Sequence, residues 1–170
     1  MNQPPNKPDN PFPKHKRKHL RRLKVIFDQW NAPLYEINIC VKWRRKCLAH
    51  PQVFRILVAS WQEAGPLYDW QVGRYMVMPD HVHFFVTTAS REHKDLSDFI
   101  GGWKSWTRRE VRRLYPSFDW QKELFDHLIR SGESYGDRWN YLLLNPVKEG
   151  LVKQPEDWPY QGEITPIQWF

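Results

Sequence analysis

The apolar stretch from Tyr75 to Val86 constrains the fold of this chain more than any other segment. It consists of two strand-like runs separated by a Met-Pro-Asp turn, which predicts an antiparallel hairpin. The second run carries His81 and His83 with Val82 between them. Because alternate side chains of a strand share a face, both imidazoles are expected on one side of the sheet. Two imidazoles so placed suit one divalent cation, although the pattern is also that of ordinary sheet histidines.

Periodicity along the rest of the chain predicts the order β-α-β-β-α-β-α. Strands are expected over 34–41, 70–78, 81–87 and 118–129, and helices from Pro51 to near Gly65-Pro66, over 95–115 and over 133–144. The last helix is expected to stop at Asn145-Pro146, because proline disfavours helix in the residue before it. The tail around Trp158 is expected to pack back on the domain. This order predicts an α+β fold, a ferredoxin-like antiparallel sheet with helices packed on one face.

The formal net charge of +7 is concentrated at the N-terminus. Residues 1–24 hold eight Lys or Arg against one Asp, which accounts for the whole excess. We therefore predict a basic, largely disordered leader over residues 1–23 and a single domain over residues 24–170. Such a leader either attracts a polyanion such as nucleic acid or only keeps the protein in solution.

Cys40 and Cys47 are too few for a disulfide framework and have no zinc-ligand partners in the sequence. The chain has neither an apolar run long enough for a membrane nor a signal peptide pattern. These absences predict reduced thiols and a cytoplasmic protein, which would be nucleoid-associated if it binds DNA.

Two groups of basic residues are candidates for nucleic-acid contact. Arg108, Arg109, Arg112 and Arg113 form a stripe on the second predicted helix, with Lys104 and several tryptophans nearby. Arg44 and Arg45 lie in a loop after the first strand. Either group is equally compatible with an ordinary solvated surface.

Tyr141 and Asn145 lie four residues apart on the last predicted helix and therefore share a face. A tyrosine hydroxyl can attack phosphorus and form a covalent intermediate, and an amide oxygen is a suitable third ligand for Mg²⁺ or Mn²⁺. The metal would polarise a phosphate. Taken singly, the two residues also fit a core aromatic and a helix C-terminus.

The motif at residues 78–83 (MPDHVH) together with that at residues 141–152 (YLLLNPVKEGLV) resembles the REP-associated tyrosine transposases, which are HUH single-tyrosine nucleases. The resemblance covers roughly residues 30–160 and includes the segments 102–105 and 125–130. It implies a metal-dependent transposase or endonuclease that cleaves and rejoins single-stranded DNA near hairpins. In that family's scheme His81 and His83 bind the metal with Asn145 or a nearby polar group. Tyr141 is the nucleophile, holding the 5′ phosphate and releasing a 3′ hydroxyl.

Asp80 stands where members of this family commonly carry asparagine, which either alters the turn or adds a carboxylate near the metal. Tyr135 is a poorer nucleophile than Tyr141, since it does not share the face of Asn145. Two alternatives remain open at this stage: a DNA-binding protein of the same fold that has lost cleavage, and a metal-dependent phosphodiesterase that uses water. The resemblance is compatible with a monomer and with a homodimer.

Overall fold

The computed structural model describes residues 32–90, 93–130 and 132–167, so the leader predicted over residues 1–23 lies outside the described residues. In chain order the elements are β1 (Leu34–Cys40), α1 (Pro51–Tyr68), β2 (Trp70–Val77), β3 (His81–Thr88), α2 (Leu96–Val111), β4 (Phe125–Ile129), α3 (Gly132–Leu143), the single turn α4 (Asn145–Lys148) and β5 (Gln161–Glu163). Short 3-10 turns cover Lys42–Arg44 and Pro155–Asp157. The predicted order is confirmed through α3, and β5 is too short to be recognised from periodicity.

The strands form one antiparallel sheet in the order β4-β1-β3-β2-β5. In the pairing of β1 with β3, Asn38 lies opposite His83 and Cys40 lies opposite His81. The predicted β2–β3 hairpin is confirmed, and the Met78 N–H donates to the His81 carbonyl at 2.8 Å across its end. The α+β, ferredoxin-like class is therefore confirmed.

One face of the sheet carries the larger hydrophobic core. Val82, Phe84 and Val86 of β3 are fully buried there against α1 and α2. Trp61 of α1 and Trp103 of α2 stack in the same core with ring centroids 5.8 Å apart. Aromatic burial on this scale fixes α1 and α2 firmly to the sheet.

The opposite face is partly covered by α3. Phe85 of β3 packs there in a smaller cluster with Tyr135 and Leu142 of α3. The prediction that helices pack on one face therefore holds for α1 and α2, whereas α3 packs on the other. Because His81 and His83 alternate with core residues of β3, they lie on the same face as α3.

Three predicted helix ends differ from the structure. α2 ends at Val111, before the predicted end at residue 115. α1 runs past Gly65-Pro66 to Tyr68, since Pro66 lies in the last turn and removes a single hydrogen bond there. The chain then turns at Asp69, whose φ is 62°. After α3 the break is confined to Leu144, because Pro146 fits the first turn of α4, where its missing N–H needs no helical partner.

The predicted strand over 118–129 is wrong in its first half, because β4 begins only at Phe125. Phe118 and Trp120 are buried, which explains the apolar pattern that suggested a strand. Their burial comes from packing against α2: the Trp120 indole N–H donates to Thr107 at 2.9 Å and the ring lies 5.2 Å from that of Trp103. Apolar pattern alone does not distinguish these two kinds of burial.

The C-terminal segment packs back on the sheet, as predicted. The buried Trp158 indole donates to the Val77 carbonyl at 3.0 Å, and β5 pairs with the edge of β2. Cys40 is buried and Cys47 is half-buried, and no disulfide joins them. Within the described residues, none of the helices has the length and apolar character needed to cross a membrane.

Candidate active site

The two histidines of β3 form the centre of the candidate site. Their ring centroids lie 5.0 Å apart with the rings at 78° to one another. Both side chains are buried, and Val82 between them points into the core with no exposed surface. The strand alternation therefore brings His81 and His83 together on the α3 face.

Each imidazole is held by a carboxylate through its Nδ1 atom. His81 Nδ1 lies 2.7 Å from Asp80 Oδ1, and His83 Nδ1 lies 3.2 Å from Glu36 Oε1. When Nδ1–H donates to the carboxylate, the proton is fixed on that nitrogen and the lone pair of Nε2 is left for a metal. Burial lowers the pKa of His81 to about 4 despite the hydrogen bond to Asp80, so the ring is neutral at pH 7.

The Asp80 carboxylate is itself held from the other side. Arg44 Nε donates to Asp80 Oδ2 at 2.8 Å, and the Arg44 guanidinium also donates to the Cys40 sulfur at 2.7 Å. Of the two outcomes considered for Asp80, the structure thus has the added carboxylate beside the histidines. Arg44, predicted as a DNA contact, lies in this network.

Glu36 connects the histidines to α3. Its side chain is buried on β1 and accepts an ion-paired hydrogen bond from Arg138 of α3 in addition to that of His83. Burial acts to raise the pKa of Glu36, but the hydrogen bonds from His83 and Arg138 and the positive charge of Arg138 outweigh it and hold the pKa below its usual value. The carboxylate therefore stays ionised and ties α3 to the sheet beside His83.

Tyr141 lies one helical turn beyond Arg138 and shares a cavity with His83. The cavity has a volume of about 520 Å³ and is lined by Glu36, Asn38, His83, Phe125, Asp126, His127, Asp137, Arg138, Tyr141 and Leu142. The Tyr141 side chain is 62% exposed, and the Lys148 ammonium lies 3.7 Å from its ring centroid. The tyrosine is thus accessible to a large substrate.

Tyr135, the other tyrosine of α3, has a different environment. It is buried against Phe85, with ring centroids 4.9 Å apart, and the Arg74 guanidinium lies 5.4 Å from its ring. Burial raises the pKa of its hydroxyl. Both its inaccessibility and this shift make Tyr135 a poor nucleophile beside Tyr141.

The structure brings the three residues predicted to bind a metal only partly together. Asn145 opens α4 and is half-buried, but it is not among the residues that line the cavity with Tyr141. Across the described residues, no three His, Cys, Asp or Glu side chains are arranged to hold a metal ion. If the Nε2 atoms of both histidines bound a divalent cation, a further protein ligand would come from another residue type, and the amide of Asn145 is the one that the sequence predicts.

The other predicted DNA contacts do not line the Tyr141 cavity. Lys104, whose pKa burial lowers, donates to the Lys122 carbonyl at 3.2 Å. The arginines of α2 and the following turn each have a local partner, as does Arg45: Arg108 and Arg112 pair with Asp119, Arg109 with Glu110, and Arg45 with Ser117. Lys104 and Arg108 line a second groove, beside the Lys42–Arg44 turn.

The sequence reasoning missed Glu36 and Arg138. Glu36 gave a signal, since it is an acidic residue on the alternating face of a strand that is otherwise mostly apolar. Arg138 gave none, because its partner lies 102 residues away along the chain.

One protein family and several known proteins are similar to this chain. A family model described as IS200-like transposase matches residues 30–132, a range that contains both histidines and ends before Tyr141. A REP-associated tyrosine transposase of Escherichia coli is 29% identical over 107 residues, which cover 59% of this chain and 62% of that protein. A putative REP-associated tyrosine transposase of Haemophilus influenzae is 25% identical over 129 residues, covering 65% and 73% of the two chains.

Two solved structures share the fold. The first is a REP-associated tyrosine transposase bound to a REP hairpin, with a TM-score of 0.65, 21% identity and 81% of each chain covered. The second is a putative transposase from Deinococcus radiodurans, with a TM-score of 0.52, 18% identity and coverage of 71% of this chain and 95% of that one.

Proposed function

The chain belongs to the family of IS200-like transposases, and from that premise we propose that it cleaves and rejoins single-stranded DNA beside hairpins. In this proposal Tyr141 is the nucleophile, and His81, His83 and Asn145 hold Mg²⁺ or Mn²⁺. The DNA substrate carries a hairpin or palindromic repeat, by analogy with the structural relative that is bound to a REP hairpin.

One observation carries the proposal: the accessible Tyr141 and the carboxylate-bound His83 line the same cavity. The nucleophile must reach a phosphorus atom whose phosphate is held in place and has its negative charge offset, which in this proposal is the role of the metal ion at the histidines. The Glu36–Arg138 ion pair keeps α3 beside the sheet, so it positions Tyr141 relative to His83.

The reaction conserves the energy of the phosphodiester bond. The Tyr141 oxygen forms a bond to phosphorus as its proton leaves, the bond from phosphorus to the 3′ oxygen breaks, and that oxygen takes up a proton. The DNA is then joined to the protein through its 5′ phosphate, with a free 3′ hydroxyl. A bound divalent ion supplies Lewis-acid polarisation of the phosphate. The reverse displacement by a 3′ hydroxyl rejoins the strand without an external energy source.

We place the predicted basic contacts, Lys104, Arg44, Arg45, Arg108, Arg109 and Arg112, along the path of the DNA backbone. Cations that neutralise phosphates release counterions, so affinity falls with salt in proportion to their number. Replacing Arg108 and Arg109 together should weaken DNA binding and reduce the salt slope by roughly 0.7 per lost phosphate contact on a single strand. An unchanged slope would remove these two residues from the interface.

The test uses labelled single-stranded oligonucleotides that carry a stem-loop with randomised flanks, incubated with the protein and Mn²⁺. A denaturing gel should show a protein–DNA adduct that disappears in Tyr141→Phe and persists in the matched control Tyr135→Phe. Cleavage without an adduct would instead support hydrolysis by water. Binding without cleavage or adduct would support a DNA-binding protein that has lost catalysis.

A further inference from the structure

The backbone at Trp43 and Arg44 is held in an unusual conformation. Trp43 has φ 58° and ψ 20°, and Arg44 has φ 54°. Two successive non-glycine residues in the left-handed region are costly and persist only where the surrounding structure imposes them. Here the Val41 and Lys42 amides are held by the carbonyls of Asp80 and Asp119, each at 2.8 Å.

This strained turn places the Trp43 indole in solvent. Trp43 is 74% exposed, the largest value among the exposed large hydrophobic residues of the described chain. Packing against the core therefore does not compensate for the backbone strain. Uncompensated backbone strain of this kind clusters at binding and active sites, so the exposed ring is a candidate contact for a ligand.

The indole borders a groove of about 690 Å³ that has cations along it. The lining residues are Lys42, Trp43, Gly101, Lys104, Ser105, Arg108, Asp119, Trp120, Gln121, Lys122 and Glu123. Four of these are cationic and two acidic, and the acidic Asp119 is paired with Arg108 and Arg112 at 3.7 and 3.6 Å. The Lys42 ammonium also lies 4.7 Å from the Trp43 ring centroid. The groove thus offers an aromatic face beside a net positive charge.

We propose that Trp43 is the stacking platform for an unpaired base of single-stranded DNA, whose phosphates follow the basic groove. An aromatic face flanked by cations is the chemistry that binds single strands, since every base has a π-face and every linkage carries a negative charge. A duplex does not fit this platform, because its bases are already stacked on one another.

The platform is connected directly to the candidate active site. Arg44, the next residue, donates to Asp80, which holds His81. A strand stacked on Trp43 therefore lies next to the network that orients a predicted metal ligand. The inference rests on the proposed function, because the unpaired base that stacks on Trp43 belongs to the single-stranded DNA that the same site is proposed to cleave.

The experiment measures binding of two fluorescein-labelled probes at low salt without a divalent metal. One probe is oligothymidine, and the other is the same oligomer built from abasic residues, which keeps the phosphates and removes the bases. The intact protein should prefer oligothymidine, and Trp43→Ala should lose about tenfold or more of that affinity while its affinity for the abasic strand is unchanged. Trp43→Phe should retain part of the preference, and Leu67→Ala, an exposed apolar control on α1, should retain all of it.

A second variant separates binding from folding. Trp43→Gly removes the indole and also relieves the positive φ, so it should raise the melting temperature while losing the preference for oligothymidine. Equal losses on both probes, or an unchanged preference in Trp43→Ala, would overturn the proposal. The adduct assay with Tyr141→Phe is independent of this result. If no adduct forms but Trp43→Ala still loses the preference for oligothymidine, only the proposed catalysis is refuted. If the adduct forms but Trp43→Ala keeps that preference, only the stacking platform is refuted.

Discussion

Replacing Glu36 with glutamine tests whether a buried carboxylate organises the candidate active site. The glutamine has the same shape but loses the charge that Arg138 and His83 both contact. The Glu36 side chain is 7% exposed, whereas that of Arg138 is 41% exposed. The arginine can therefore turn to water, so the cost falls below the 3–5 kcal/mol typical of breaking a fully buried pair.

We expect a loss of about 1–2 kcal/mol in the free energy of unfolding, because an amide has one acceptor oxygen where the carboxylate has two. When that oxygen accepts from the charged Arg138, the amide NH2 group faces His83 and the second hydrogen bond is lost. For a chain of this size that lowers the melting temperature by roughly 2–8 °C. The same change removes the acceptor that fixes His83 Nδ1–H, so Mn²⁺ affinity should fall about 10- to 100-fold. Thermal melting in EDTA and calorimetric titration with Mn²⁺ measure the two effects separately.

The sign of the pH dependence gives a further check. The folded pKa of Glu36 lies below the ordinary value of 4.5, so its stabilisation is fully present above that pH and is lost as pH falls through the folded pKa. The difference between the wild type and Glu36→Gln should therefore shrink in acid. The matched control is Glu163→Gln, whose partner Arg74 lies 3.4 Å away in an exposed pair. It should cost less than about 1 kcal/mol and leave Mn²⁺ binding unchanged.

The reasoning would be refuted by an unchanged Mn²⁺ affinity in Glu36→Gln, or by equal effects of Glu36→Gln and Glu163→Gln. A stability difference that persists undiminished below pH 4.5 would show that the loss is steric rather than electrostatic.

Two further predictions concern stability. Gly101→Ala should stabilise α2 by about 0.5–1 kcal/mol, since a Cβ there meets no neighbour. Gly102→Ala should destabilise α2, because a Cβ there would clash with the Tyr68 ring. Equal melting temperatures for the two variants would contradict this prediction. His81 has a folded pKa of about 4 against 6.5, so the unfolded state binds its proton first and stability in EDTA should fall as pH drops from 6.5 towards 4, by up to roughly 3 kcal/mol. His81→Asn should flatten that part of the stability curve, and a curve identical to the wild type would contradict the assignment.

The order and type of the main elements were predictable from local pattern. The alternation in β3 and the apolar spacing of α1 each reflect the face that the element buries. The residues of the element alone specify that face. The segment around Trp120 was mispredicted as strand for the same reason, since burial under α2 and burial in a sheet leave the same apolar signature. β5 is three residues long, too short for any periodicity.

The sequence by itself determined the alternation of His81 and His83 and, through a recognisable pair of motifs, the nucleophile and metal-ligand candidates. Tertiary structure alone decided that α3 packs on the histidine face and that Glu36 joins His83 to Arg138. It also decided that Tyr141 is exposed while Tyr135 is buried, and that Trp43 projects into solvent. These contacts join residues far apart along the chain. Local spacing carries no information about them, because they depend on which faces of separate elements come to pack together.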